Sequence, residues 1–276
     1  MKHNIHIDGA TRLFVIIGDP IVQAKSPSVY SQLFADRGIP AVMLPLHVHP
    51  QGMAQLGPLL ALIENLDGIL VTAPYKSSLL ALCGSLGPAA QCVGAVNALR
   101  RKPGGGWHGD LFDGAGFVAG ARQRGIELRG RRVLQFGAGG AGSAIAYELA
   151  AAGVGSIRLV DPNPEKVKQL CDAIQGRFPE FDILPAPPEA SSAPENINMV
   201  INSSTVGMGG AKGIPGAIPP LNAETFVGEV NVTEHGTDLI RLAMAAGAAW
   251  TDGAHMHAGQ IDELLAFFFN RMTPER

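Results

Sequence analysis

The chain has 276 residues, 46% of them hydrophobic and 16% charged, enough to bury a sizeable core and to form two domains. A net charge of −3 without a long basic run argues against nucleic acid as a partner. No apolar stretch reaches the ~18–20 residues that cross a bilayer, and Met1-Lys2-His3-Asn4-Ile5-His6 lacks the apolar core of a signal peptide.

Leu13-Phe14-Val15-Ile16-Ile17 predicts a buried strand ending at Gly18-Asp19-Pro20. Ser26-Pro27 reads as a helix N-cap followed by proline at the first helical position, with the helix running to about Arg37. Residues 41–48 predict a second strand. His47 and His49 alternate there and share one face; a bare His-x-His reads as solvated side chains, so no metal is expected. A helix over 51–64 precedes the buried strand Gly68-Ile69-Leu70-Val71, whose end delivers Thr72 and Lys76. Ligands of open α/β sheets bind beyond the carboxyl ends of strands, which makes Lys76 a candidate; a solvated lysine opening the next helix is the other reading. Residues 93–99 read as a strand with Asn97 inside an apolar run, and a buried Asn needs partners, structural or substrate. Residues 101–106 are a turn, and Leu111-Phe112-Asp113-Gly114 leads into a helix to about Arg124.

Next comes Val133-Leu134-Gln135-Phe136, then Gly137-Ala138-Gly139-Gly140-Ala141-Gly142, a G-x-G-x-x-G turn opening an Ala-rich helix. The context of strand, glycine turn, helix and second strand is that of a dinucleotide-binding unit, and Asp161 ends the second strand about 20 residues on. Gly137 permits the tight turn, Gly139 admits backbone to a pyrophosphate, and Gly142 lets helix pack on strand. The helix N-terminus offers N–H groups and the positive dipole end. Helix 164–174 and strand 181–184 follow, then an exposed Pro/Ala/Ser-rich loop over 185–194. Strands 198–202 and 226–232 come next, then helix 237–246, a short strand 249–251 and an apolar helix within 252–271. Alternating strands and helices imply an α/β fold with parallel sheets. Cys83, Cys92 and Cys171 are unclustered and odd in number. They read as reduced thiols in a cytoplasmic protein.

Several separated pieces agree with one family. They are Gly18-Asp19-Pro20 with Lys25-Ser26-Pro27, Val71-Thr72-Ala73-Pro74-Tyr75-Lys76, Gly94-Ala95-Val96-Asn97, and Gly109-Asp110 with Asp113-Gly114. Further along are the glycine turn, Ile201-Asn202 with Gly207-Met208, and Asp252-Gly253 with Gln260. In order and spacing the chain resembles the shikimate/quinate dehydrogenase family over essentially its whole length. The resemblance implies a substrate domain over 1–112 completed by a C-terminal helix over 253–276, with a Rossmann domain over 113–252 between. It implies Lys76 and Asp113 as catalytic pair, and Ser26, Thr72, Asn97 and Gln260 on substrate. On the cofactor side it implies contacts at Ser203, Thr205, Val206, Val230 and Gly253, beside the glycine turn.

Four positions depart from the family's pattern: Ala24, Leu70, Phe112 and Val232 stand where polar groups are usual. They predict a weak grip on shikimate and quinate, and a less polar or differently substituted hydroxy acid as substrate. Asp161-Pro162-Asn163 replaces the Asn-Arg-Thr of NADP-using relatives. A carboxylate there accepts ribose hydroxyls and repels a 2′-phosphate, so NAD is expected over NADP. The alternative to an enzyme is a nucleotide-binding sensor of the same fold. Retention of both Lys76 and Asp113 favours the enzyme, since a pure binder needs no acid/base pair. Nothing in the sequence decides between monomer and homodimer.

Overall fold

The computed structural model describes residues 6–187 and 196–269. The chain divides into two compact units, Met1–Leu111 with Leu265–Arg276, and Phe112–Leu264.

The N-terminal unit runs β1 (Arg12–Gly18), α1 (Ser26–Asp36), β2 (Ala41–His47), α2 (Met53–Ala61) and β3 (Leu66–Val71). It continues with β4 (Cys83–Leu86), α3 (Pro88–Val93), β5 (Ala98–Arg101) and β6 (Trp107–Asp110). Its sheet order is β2-β1-β3-β5-β6-β4. β1 runs parallel to both β2 and β3, whereas β5 runs antiparallel to β3 and β6. Phe14 through Ile17 are all buried, which is why the run is apolar without alternation. Phe14 packs on Phe34 at 5.0 Å and on Phe268 at 5.1 Å between ring centroids. Gly68 makes room for this cluster: a Cβ there would stand 2.6 Å from the Phe14 ring and 2.7 Å from Phe268.

Three local expectations change. Helix α1 begins at Ser26 itself, with Lys25 at the cap and no side-chain capping bond; Pro27 lies in the first turn. Residues 51–64 split into a 3₁₀ turn, Pro50–Gly52, and the shorter α2. Residues 93–99 are not one strand. Helix α3 ends at Val93, Gly94 turns left-handed at φ 73°, and β5 starts at Ala98. The Asp110 carboxylate accepts the Ala90 N–H at 3.0 Å, capping the first turn of a short helix that apolar periodicity cannot tell from a strand.

The second unit opens with α4 (Asp113–Gln123), β7 (Arg132–Phe136), α5 (Gly140–Ala151), β8 (Ser156–Val160), α6 (Pro164–Arg177) and β9 (Asp182–Pro185). It closes with β10 (Met199–Asn202), β11 (Phe226–Glu229), α7 (Asp238–Ala245), β12 (Ala249–Thr251) and α8 (Gly253–Phe268), whose last residues, from Leu265, belong to the N-terminal unit. All six strands are parallel in the order β12-β11-β10-β7-β8-β9. The chain moves outward from β7 to β9, then returns to β10 on the other side of β7. That reversal is a topological switch point. The Asn163 and Thr237 side chains cap α6 and α7. Helices α4 and α8 meet at backbone contact, since a Cβ on Gly120 would lie 2.6 Å from the His255 carbonyl and one on Gly259 2.3 Å from that of Gly116. Most of the loop expected over 185–194 lies outside the described residues. Among the described residues no helix is long and apolar enough to cross a membrane. None of Cys83, Cys92 and Cys171 is in a disulfide.

Candidate functional site

The glycine turn sits between β7 and α5, at the switch point. Gly137 donates its N–H to the Val160 carbonyl at 2.7 Å and takes φ 100°, which L side chains rarely adopt. A Cβ on Gly142 would stand 2.2 Å from the Gly137 carbonyl oxygen. Above Gly139, by contrast, nothing lies within 4 Å of where a Cβ would be. Gly139 is extended and exposed, and α5 begins at the next residue. An open backbone face followed at once by a helix N-terminus fits a diphosphate. Ala138 is not part of that open face: it donates its N–H to Asp161 Oδ2 at 2.8 Å.

Ser203, expected at the cofactor, is bound into the turn. Its N–H and its hydroxyl both reach the Phe136 carbonyl at 2.7 Å. Thr205 is exposed, and the Val206 carbonyl accepts from Asn202 and Asn231 side chains at 2.9 Å each. Val230 donates to the Asn202 carbonyl at 2.9 Å, and a Cβ on Gly253 would meet the Val230 carbonyl at 2.2 Å. These loops share a centre that sequence reading passed over, Glu229, which is 1% exposed. Its carboxylate accepts from Asn202 Nδ2 at 2.9 Å, Thr237 Oγ1 at 2.9 Å and the Asn231 N–H at 3.0 Å. Burial raises its pKa, and these donors act the other way. The signal was an acid inside an apolar strand, the same signal that singled out Asn97.

Of the substrate-side residues, Asp113 and Gln260 meet within the second unit. Asp113 opens α4, where the dipole favours an acid, and is 6% exposed. Gln260 Nε2 donates to its Oδ1 at 3.1 Å. The glycine contact between α4 and α8 permits this, because Gln260 follows Gly259 directly. In the N-terminal unit, Thr72 follows β3 and Lys76 lies one turn on; both are half-buried. The Lys76 carbonyl accepts from Val96 at 2.8 Å, and the Asn97 carbonyl from Val71 at 2.7 Å. Thr72, Lys76 and the buried Asn97 are therefore grouped at the carboxyl end of β3, while Ser26 starts α1. Of the four departures, Leu70 is buried in β3, Ala24 and Phe112 are half-buried, and Val232 is exposed.

A parallel six-stranded sheet with a glycine turn at its switch point, joined to a second α/β unit, is the architecture of a dinucleotide-dependent dehydrogenase. Residues 16–99 match the family model described as the shikimate dehydrogenase substrate binding domain. Shikimate dehydrogenase (NADP(+)) of Anaeromyxobacter sp. (strain K) is 32% identical over 98% of this chain and 95% of its own length. The chain belongs to the shikimate dehydrogenase family, and is an oxidoreductase of it. Its fold matches that of shikimate 5-dehydrogenase from Listeria monocytogenes, solved with shikimate and NAD, at a TM-score of 0.88 and 24% identity, covering 99% of this chain and 97% of that one. It also matches a shikimate dehydrogenase solved with NADP+, at a TM-score of 0.84 and 23% identity, covering 96% and 92%.

These relatives overturn the expectation of NAD over NADP. The relatives from Anaeromyxobacter and Rubrobacter xylanophilus are named for NADP(+), and one of the matching structures holds it. The structure shows why the acid at the end of β8 misled. Both Asp161 oxygens serve the protein itself, Oδ2 accepting from Ala138 at 2.8 Å and Oδ1 from Asn163 at 2.9 Å. An acid so engaged is a fixture of the turn, and its presence does not report the ribose substituent.

Proposed function

We propose that this protein transfers hydride between a secondary hydroxyl of a cyclic hydroxy acid and a nicotinamide dinucleotide, with Lys76 and Asp113 as the acid/base pair. The cofactor is NADP, the form for which its curated relatives are named. The observation that carries the reading is 32% identity to a shikimate dehydrogenase over 98% of the chain; the choice of Lys76 and Asp113 rests on the motifs of the sequence itself. Bound in the glycine cradle, the dinucleotide supplies the hydride acceptor. The chain's own part is to bind the alcohol and move its proton. As the C–H bond gives up hydride, the hydroxyl proton passes to the Lys76/Asp113 pair. Gln260 holds Asp113 in place by its 3.1 Å hydrogen bond. Ser26, Thr72 and Asn97 grip ring hydroxyls or carboxylate, and Gln260 uses its remaining polar capacity on substrate. Ala24, Leu70, Phe112 and Val232 shift preference away from shikimate and quinate toward a less polar ring acid. On this reading the protein works in the cytoplasm, where its cysteines stay reduced.

The test is reduction of the dinucleotide, followed by absorbance, across a panel of cyclic hydroxy acids with NADP and NAD in parallel. Turnover with at least one such acid is expected. Tight dinucleotide binding without turnover on any of them would defeat the proposal and leave a binding protein of the same fold.

A further inference from the structure

The carboxyl ends of β1 and β2 lie side by side, with Gly18 opposite His47. Asp19 follows Gly18, and strand alternation puts His49 on the face of His47. Three donors thus converge although 28 residues separate Asp19 from His47. His47 Nε2 lies 2.7 Å from Asp19 Oδ1, and His49 Nδ1 lies 3.8 Å from Asp19 Oδ2. The two imidazole centroids are 4.7 Å apart, and one ligand atom from each residue falls within 4.8 Å of the others.

Three ligands held about 2.0–2.2 Å from one ion stand roughly 3.0–3.5 Å apart. The observed separations bracket that spacing. The side chains of His47 and His49 are 46% and 71% exposed, so rotation of the rings closes the difference without moving a core residue. The backbone beneath them is tied on every side. Val48, between the histidines, donates its N–H to the Gly18 carbonyl at 3.3 Å and accepts the Tyr75 hydroxyl at 2.5 Å. Asp19 donates its N–H to the Ala73 carbonyl at 3.1 Å. Tyr75 also senses the charge: burial first and the Asp19 carboxylate second push its hydroxyl pKa up.

We infer that Asp19, His47 and His49 form a binding site for a divalent cation of the zinc class. Two imidazoles and one carboxylate suit Zn²⁺, Ni²⁺ or Co²⁺, whereas Mg²⁺ and Ca²⁺ prefer oxygen alone. Three protein ligands leave at least one position on the ion for water or a ligand oxygen. Nothing in the proposed hydride transfer uses this ion, and the site lies within the N-terminal unit. The competing arrangement is a plain ion pair between a protonated His47 and Asp19, which needs no metal.

The test is calorimetric titration of the chelator-treated full-length protein with ZnCl₂, repeated with CoCl₂ while following its visible bands. One saturable ion per chain is expected. His47→Gln and His49→Gln should each weaken binding at least about tenfold, as loss of one ligand would. Asp19→Asn should do the same, and His235→Gln, at an exposed histidine elsewhere, should leave it unchanged. The histidine side chains lie on the surface, so those two variants keep the fold, which circular dichroism verifies. Absence of saturable binding would leave the ion pair alone and overturn the site. Wild-type affinity in both His47→Gln and His49→Gln would overturn it equally.

Discussion

In the second unit the glycine turn between β7 and α5 is built from main chain: the Gly137 N–H on the Val160 carbonyl, the open face of Gly139, and Gly142 against the Gly137 carbonyl. In the N-terminal unit Thr72, Lys76 and Asn97 are grouped at a strand end by backbone hydrogen bonds, and what they offer a ligand is side chains. A site made of backbone depends on the absence of atoms, so glycine spacing spells it. A site made of side chains depends on which groups distant parts of the chain bring alongside. The first kind tolerates change around it and fails when a methyl group is added; the second is retuned residue by residue.

The comparison predicts that catalysis and dinucleotide binding separate by variant. The largest effect is expected from Lys76→Ala and Asp113→Asn, which should each lower kcat by about 10²–10⁴, the contribution of a positioned acid or base. Dinucleotide affinity, measured by fluorescence titration, should stay within about twofold, because a lost acid/base group leaves uniform binding intact. Unchanged kcat in Lys76→Ala would remove that residue from the mechanism. Next comes Gly142→Val. Its Cβ would start 2.2 Å from a backbone oxygen, so the turn must shift. The dinucleotide should then bind about a hundredfold more weakly, roughly 2.7 kcal/mol. Native affinity in this variant would show that the turn does not cradle the ligand.

Smaller changes retune the side-chain site. Ala24→Ser and Phe112→Thr return hydroxyls where the family carries polar groups, and each should raise kcat/KM for shikimate about tenfold, the worth of one recovered partner. No gain from either would mean that these positions do not set specificity. Glu229→Gln gives the smallest effect. One amide face replaces an acceptor that Asn202, Asn231 and Thr237 all address, costing about 1 kcal/mol in urea denaturation. The sign with pH follows from burial, which raises the Glu229 pKa above its ordinary 4.5. The folded chain holds this proton more tightly than the unfolded one. Its contribution is therefore complete below about 4.5 and is lost as pH rises through the folded value. Wild type should lose more stability than Glu229→Gln over that rise, and parallel pH curves would show that Glu229 is not the group responsible.

The strands and helices of the second unit were readable because each carries its own period and punctuation. Asn163 and Thr237 cap their helices, glycines mark the turn, and continuous apolar runs mark strands buried on both faces. The N-terminal unit was harder around residues 88–101. A six-residue helix and the strand after it are both apolar; an Asp110 carboxylate from further along the chain holds the helix's first turn, and a left-handed Gly94 ends it. Asp161 shows the opposite hazard. Its position in the sequence was plain, but its two oxygens turned out to be occupied by Ala138 and Asn163, which spacing cannot reveal.

By itself, then, the sequence determined the α/β alternation, the glycine turn and the family, because these rest on local backbone demands and on ordered motifs along one chain. Tertiary structure decided which polar groups meet. Gln260 comes to Asp113 through the close glycine packing of α8 on α4. Glu229 ties Asn202 at the end of β10 to the segment after β11, and Asp19 joins a His-x-His that alone reads as solvated surface. Each of these contacts joins residues distant in sequence, and sheet register or helix packing brings them together. No single segment carries the free energy of such a contact, so no single segment can announce it.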